Sequence, residues 1–407
     1  MNRLLSKALL MTIWIMAVVP HVNACSTFLI RHNGTLLVGH NLDEPGIRVW
    51  PGMVVVNKRG IPKQARTWRE VGSNTIPTGR MRWVSKYGSI TTNGFGRELP
   101  DGGMNEAGLV VCEMTLAETQ FVEDESLPQM FMMQWVQYLL DTCGSVEEVI
   151  RSAKNISLDG WNWHFFVADA KGEAAVIEFI EARPVIITGE SLPVLALCNS
   201  RYQEELELLK EYAGFGGETP VSLTGNDAVT QLIAKGIGYL LGSKPNSSTN
   251  PDLRFVHAAH MLKEYDPDTS ASVQAFSILE QMNKNGFTKW SIVYDIKNGR
   301  IDFHTSAAPT SRYCTMQSCG FSEKGPPLSA DINAVASGDI RSLFRPCTKE
   351  RNRAFVTKTV DAIRKLHGGG SIELGTKGHV QKFTPQQFLD GLATFHESVT
   401  HKREDPK

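Results

Sequence analysis

The stretch VNACSTFLIRHNGTLLVGHNLDE, residues 22–44, decides how this chain folds. Asn33-Gly34 separates two alternating apolar runs, the strongest short signal for a two-residue β-hairpin. With those two residues as the loop, His32 faces Thr35, Thr27 faces His40 and Cys25 faces Leu42. Asp43 then lies one residue past the partner of Cys25, so turn chemistry alone brings a carboxylate beside that cysteine. In an ideal ladder the Asp43 side chain points to the face away from the thiol. It is therefore placed to hold an α-ammonium or the backbone, while His40 shares the face of Cys25.

Upstream, Arg3 and Lys7 precede an apolar run of 12 residues, ALLMTIWIMAVV at 8–19, which Pro20 ends. A spanning helix needs ~18 or more such residues. With Val22-Asn23-Ala24 where a signal peptidase cuts, residues 1–24 read as a removed secretory signal. The mature protein is expected to be secreted or periplasmic, and no later stretch reads as a membrane span. Three readings of Cys25 follow: a nucleophile, a lipid anchor or a structural thiol. Asn23 is a poor lipobox residue, which disfavours the anchor. The nucleophile has a chemical use, because a thiol of pKa ~8.5 needs a base, and an α-amine of pKa ~7.7–8.0 on the same residue is one.

The chain balances 42 basic against 43 acidic side chains, which gives no electrostatic reason to expect nucleic acid as a partner. Of seven cysteines, Cys112, Cys143 and Cys198 sit in apolar segments and read as buried thiols. Cys314, Cys319 and Cys347 suit a disulfide in an oxidising compartment, with the pairing open. Ten strand-like runs recur, from CSTFLI and TLLVGHN to WSIVYDI and RIDFHTS. Helices are expected at 129–143, 145–153, 251–263 and 272–283, the second opened by Ser145 with Glu148 in a capping box. Antiparallel strands with helices in blocks argue an α+β fold layered helix–sheet–sheet–helix. Residues 308–407 change character and read as a C-terminal extension packed on a main domain at 25–307.

These motifs together resemble the choloylglycine hydrolase family of N-terminal-nucleophile (Ntn) hydrolases, which spans bile salt hydrolases and penicillin V acylases. The resemblance runs from CSTFL…GHNLD through DGGMNEAGL, WHFFVADAKGEAAVIEF, LALCNS and LRFVHAAHML to the strands near 290–304. It implies an Ntn-hydrolase four-layer αββα sandwich that hydrolyses linear, non-peptide amide C–N bonds of small N-acyl compounds. It further implies Cys25 as nucleophile with its own amine as base, and Asp43 orienting that amine. Asn199 would donate a side-chain N–H to the oxyanion, Thr115 its backbone N–H, and Arg254 would supply positive charge near the thiol. Bile salt hydrolases carry an arginine where this chain has His40, a candidate for the substrate pocket. Asn105 reads as structural, and His257 with His260 lacks a third ligand for a metal. This chemistry needs no cofactor or metal. Two alternatives stay open, transfer of the acyl group to an amine and a binding protein lipidated at Cys25, and so does a homo-oligomer. The pocket is expected to draw on residues 43–50, 83–94 and 116–127.

Overall fold

The computed structural model describes residues 25–44, 46–73, 81–223, 253–283, 286–322, 325–366, 371–376 and 379–399. The expected signal peptide, 1–24, lies outside them. The opening hairpin forms as its turn residues dictate: Asn33 and Gly34 both take positive φ, 45° and 82°. Strand β1 (Ser26–His32) pairs with β2 (Thr35–Asp43) in the register that puts Thr27 opposite His40 and His32 opposite Thr35.

Two large sheets grow from this hairpin and from a second block of buried strands. The remaining strands are β3 (Met53–Asn57), β4 (Ser89–Asn93), β5 (Gly102–Asn105), β6 (Val110–Thr115), β7 (Trp163–Ala168), β8 (Ala174–Ile180), β9 (Arg183–Thr188) and β10 (Ala196–Leu197). They continue with β11 (Thr288–Asp295), β12 (Arg300–Thr305), β13 (Ala308–Thr315), β14 (Leu328–Asp331), β15 (Gly338–Asp339) and β16 (Arg345–Pro346). The first sheet runs β10-β1-β2-β11-β12-β13-β15 and the second β9-β8-β7-β6-β5-β4-β3-β14-β16. Every expected strand run lies in one of these sheets. The sheets touch where Thr27 Oγ1 donates to Met114 Sδ at 2.9 Å.

Helices follow their apolar patterns. The described helices are α1 (Trp68–Ser73), α2 (Met132–Thr142), α3 (Val146–Ala153), α4 (Tyr202–Leu209), α5 (Arg254–Lys263), α6 (Ala271–Gln281), α7 (Lys349–Leu366) and α8 (Pro385–Val399). Helix α2 is buried nearly all round and lies with α3 on the second sheet, whereas α5 and α6 lie on the first. It starts at Met132 rather than 129, because Gln129–Phe131 pairs in parallel with Ser157–Asp159. The Ser145 side chain caps α3 by accepting the Glu148 N–H, while Glu148 accepts from Gly144 instead of completing the box on Ser145.

The C-terminal extension adds strands to both sheets: β13 pairs with β12 in the first, and β14 pairs with β3 in the second. Strand β13 buries only Ala308, Arg312 and Cys314 and leaves Pro309, Thr310 and Ser311 exposed, so its sequence lacks the apolar run that marks the inner strands. One expectation is corrected: Cys314, Cys319 and Cys347 are all free. Cys314 is fully buried in the main core, and Cys347 packs beside Met53 and Val55, so both fill space as small apolar groups. No helix among the described residues is long and apolar enough to cross a membrane.

Candidate active site

The five residues expected at the site come from five different places in the chain and meet at one point. Cys25 immediately precedes β1, Asp43 closes β2, Thr115 closes β6, Asn199 follows β10 and Arg254 starts α5. Because β10 and β2 flank β1, and α5 packs on β1 and β10, these ends converge. The Arg254 guanidinium organises them. Its Nη1 donates to Asp43 Oδ2 and to the Cys25 carbonyl, both at 3.1 Å. Its Nη2 donates to Asn199 Oδ1 at 2.8 Å, and Asn199 Nδ2 donates to the Thr115 carbonyl at 2.8 Å.

This chain of bonds fixes the Asn199 amide without ambiguity. Arginine is donor-only, so the amide oxygen must face Arg254 and the NH₂ must face Thr115. One N–H is spent on that carbonyl and the other remains for a ligand. The backbone on either side is held too: Glu205 accepts the Cys198 N–H at 3.1 Å and the Ser200 N–H at 3.3 Å. His164 Nε2 meets the Cys198 carbonyl at 2.8 Å. A buried Asp43–Arg254 pair is costly to desolvate, and here the further bonds of Arg254 to the Cys25 carbonyl and to Asn199 offset part of that cost.

The thiol is not preset as thiolate. Burial pushes the Cys25 pKa well up, the carboxyls of Glu113, Asp43 and Glu44 push it further, and only the Asp43 backbone N–H opposes. These neighbours form an acidic group that the sequence reading missed. Burial and then Asp101 and Asp43 push Glu44 up to about 8, with Lys289 opposing. Burial pushes Asp101 up to about 7 against the bond it accepts from the Gly94 N–H. Lys289 occupies a bulge in β11 between the partners of Asp43 and Leu42. The available signal was Glu113 inside the otherwise apolar run VVCEM, a charged residue where a buried strand wants none.

His40 is 1% exposed, with Nδ1 against Thr27 Oγ1 at 2.8 Å. Burial lowers its pKa to about 4, so it is neutral at ordinary pH and is enclosed between the sheets. Asn105 spends its side chain on structure: Nδ2 caps the carbonyls of Leu140 and Cys143, and Oδ1 accepts from Ala107 and Leu109.

The raised carboxyls carry a consequence for stability. In the unfolded chain an aspartate ionises near pH 4, whereas folded Asp101 holds its proton to about 7. Its contribution is therefore fully present below about pH 4 and is lost as pH rises through 7. Between pH 5 and 8 the loss is roughly 2–3 kcal/mol. Urea unfolding should show Asp101→Asn flattening the fall in stability over that range. Parallel slopes for the two proteins would remove Asp101 from the account.

Comparison with known proteins agrees with this architecture. Residues 25–309 match the family of linear amide C–N hydrolases, choloylglycine hydrolase family. A penicillin V acylase from Pectobacterium atrosepticum is 23% identical over 301 residues, which is 65% of this chain and 77% of that protein. The structure of penicillin V acylase from Agrobacterium tumefaciens superposes with a TM-score of 0.60 at 19% identity, over 80% of this chain and 98% of that one. A mutant conjugated bile acid hydrolase from Clostridium perfringens gives 0.56 at 16% identity, over 78% and 98%. The protein is thus a hydrolase of carbon–nitrogen bonds in linear amides. It belongs to the choloylglycine hydrolase family.

Proposed function

We propose that Cys25, exposed as N-terminus by removal of residues 1–24 outside the cytoplasm, is the nucleophile that cleaves small N-acyl amides. The observation that carries this reading is the continuous path Asp43–Arg254–Asn199–Thr115 with Arg254 also on the Cys25 carbonyl. A thiol whose pKa is pushed up needs a proton acceptor at hand, and the α-amine of a terminal Cys25 is one. That amine takes the thiol proton as sulfur attacks the amide carbonyl. The oxyanion is held by the second Asn199 N–H and the Thr115 backbone N–H. The ammonium then protonates the leaving amine as the C–N bond breaks, which leaves a thioester. Water, deprotonated by the same amine, releases the acid and restores the thiol. Asp43 holds the ammonium form, and Arg254 positions Asp43 and Asn199.

The placement of α2 and α3 on one sheet and α5 and α6 on the other supports a four-layer αββα core built on the domain at 25–307, with strands of the C-terminal extension completing its two sheets. Neutral His40 offers no charge to an anionic substrate group. Trp161, Trp163 and Phe95 meet in tilted and edge-on contacts at the end of β7, where Trp163 pairs with Thr115, and suit an uncharged, apolar acyl group.

The test is to incubate the mature protein with a panel of N-acyl amides and follow products and protein by mass. Acid and amine should appear together, with a transient acyl adduct on the peptide that begins at Cys25. An N-terminal peptide carrying lipid, or turnover without an adduct that survives Cys25→Ala, would overturn the reading.

A further inference from the structure

The family match ends at residue 309, yet the chain goes on to build α7 and α8. Along α7 (Lys349–Leu366), Asn352, Val356, Thr359, Ile363 and Leu366 fall four or three residues apart, so they line one stripe. The stripe lies on two loops. Asn352 Oδ1 accepts the Arg97 N–H at 2.8 Å, and Thr359 Oγ1 donates to the Gly94 carbonyl at 2.8 Å. Val356 covers Gly96: its Cγ2 lies 3.0 Å from where a Cβ would stand, and the φ of +123° there favours glycine. Leu366 Cδ2 sits 2.5 Å from where a Cβ on Gly46 would stand.

Both loops border the candidate site. Gly46 is three residues beyond Asp43, and the Gly94 N–H is bonded to Asp101 Oδ2 at 2.6 Å. From the opposite side, buried Lys63 holds Glu98 Oε2 at 2.6 Å. Asn352 and Thr359 are both fully buried. A helix that only covered a core would bury apolar side chains at those positions, since burying a polar group is unfavourable unless it finds its partner. Here each polar group bonds a particular loop backbone atom, which fixes position as well as contact.

We propose that this face of α7 is a positioning element for the amidase site, holding loops 46–52 and 94–98 and so setting which acyl groups reach Cys25. The inference rests on Cys25 being the nucleophile. Thr359→Val removes the donor at nearly constant volume, and Thr359→Ser keeps it. Thr357→Val is the control on the outer face of the same helix, where the hydroxyl serves only the Arg353 carbonyl. On the full mature chain, two readouts are taken. One is kcat and KM over N-acyl amides of increasing acyl length. The other is the rate of Cys25 labelling, read by mass on the N-terminal peptide, with iodoacetamide and with a bulky maleimide.

For Thr359→Val and Asn352→Ala, KM should rise about 5–10-fold with kcat within about twofold, the loss expected of slightly misplaced binding walls. Discrimination between short and long acyl groups should flatten, and the bulky reagent should gain about fivefold over the small one. Thr359→Ser should behave as the parent. A Thr359→Val protein that loses melting temperature but matches Thr357→Val in KM, acyl preference and labelling ratio would make α7 a purely stabilising helix and overturn the proposal. So would a loss confined to kcat. If Asn352→Ala fails to fold, Thr359→Val alone decides. A parent that labels at Cys25 yet cleaves no amide refutes the functional reading, while the labelling ratio still judges α7.

Discussion

A protein whose mature chain begins Ala24-Cys25, with the alanine verified as retained, should be folded and inactive. The extra residue converts the amine of Cys25 into a planar, non-basic amide. The thiol then has no acceptor of its own, and its surroundings do not compensate: burial and the carboxyls of Glu113, Asp43 and Glu44 all keep it protonated. Loss of a general base alone is typically worth ~10²–10⁴-fold. Asp43 would also lose the ammonium it is placed to hold, leaving Arg254 as a cationic partner at 3.1 Å. The protein beginning at Cys25 should be active on whichever amide the panel finds, and Cys25→Ala with a free amine should be dead. Activity of the Ala24-Cys25 form within a few-fold of the mature form would remove the amine from the mechanism. Labelling adds a separate check. The Ala24-Cys25 form should need a higher pH than the mature form to react with iodoacetamide.

The parts of this picture that sequence made legible are the ones governed by local rules. Asn33-Gly34 specified the hairpin, and the hairpin specified its register, so the nearness of Asp43 to Cys25 followed before any coordinate. Ser145 announced the start of α3 in the same way. What was not legible depends on contacts distant in sequence. The bond from Arg254 to Asn199 joins residues 55 apart, and that from Arg254 to Cys25 joins residues 229 apart. Resemblance brought these residues to one list, but only the fold shows the guanidinium organising an amide, a carboxylate and a carbonyl at once. The acidic neighbours escaped notice because Glu44, Asp101 and Glu113 lie on three separate segments, each innocuous alone. Strand β13 escaped because its outward positions are polar, so no apolar run marks it in the sequence. The stripe on α7 was hidden for a third reason: its partners are glycines and backbone atoms, which leave no complementary pattern in the sequence.

Asn199→Ala should fold and lose on the order of 10²–10³ in kcat, the usual effect of removing one oxyanion donor. The geometry makes this more than an analogy. Arg254 on Oδ1 and the Thr115 carbonyl on Nδ2 leave the amide one orientation and one unspent N–H. An alanine removes that donor and the Asn199 acceptor of Arg254 Nη2, yet leaves the Asp43–Arg254 pair and the Glu205 and His164 supports in place. The fold should therefore tolerate it, with KM changing far less than kcat, because an oxyanion exists only after attack. Asn199→Asp separates orientation from donation. A carboxylate keeps the bond to Arg254 but turns a second acceptor toward the Thr115 carbonyl, where two acceptors repel. It should be at least as inactive as alanine and less stable. Retention of more than a tenth of parental kcat by Asn199→Ala would place the oxyanion elsewhere. A fall in activity carried wholly by KM would make Asn199 a substrate-binding residue that acts equally before and during the reaction.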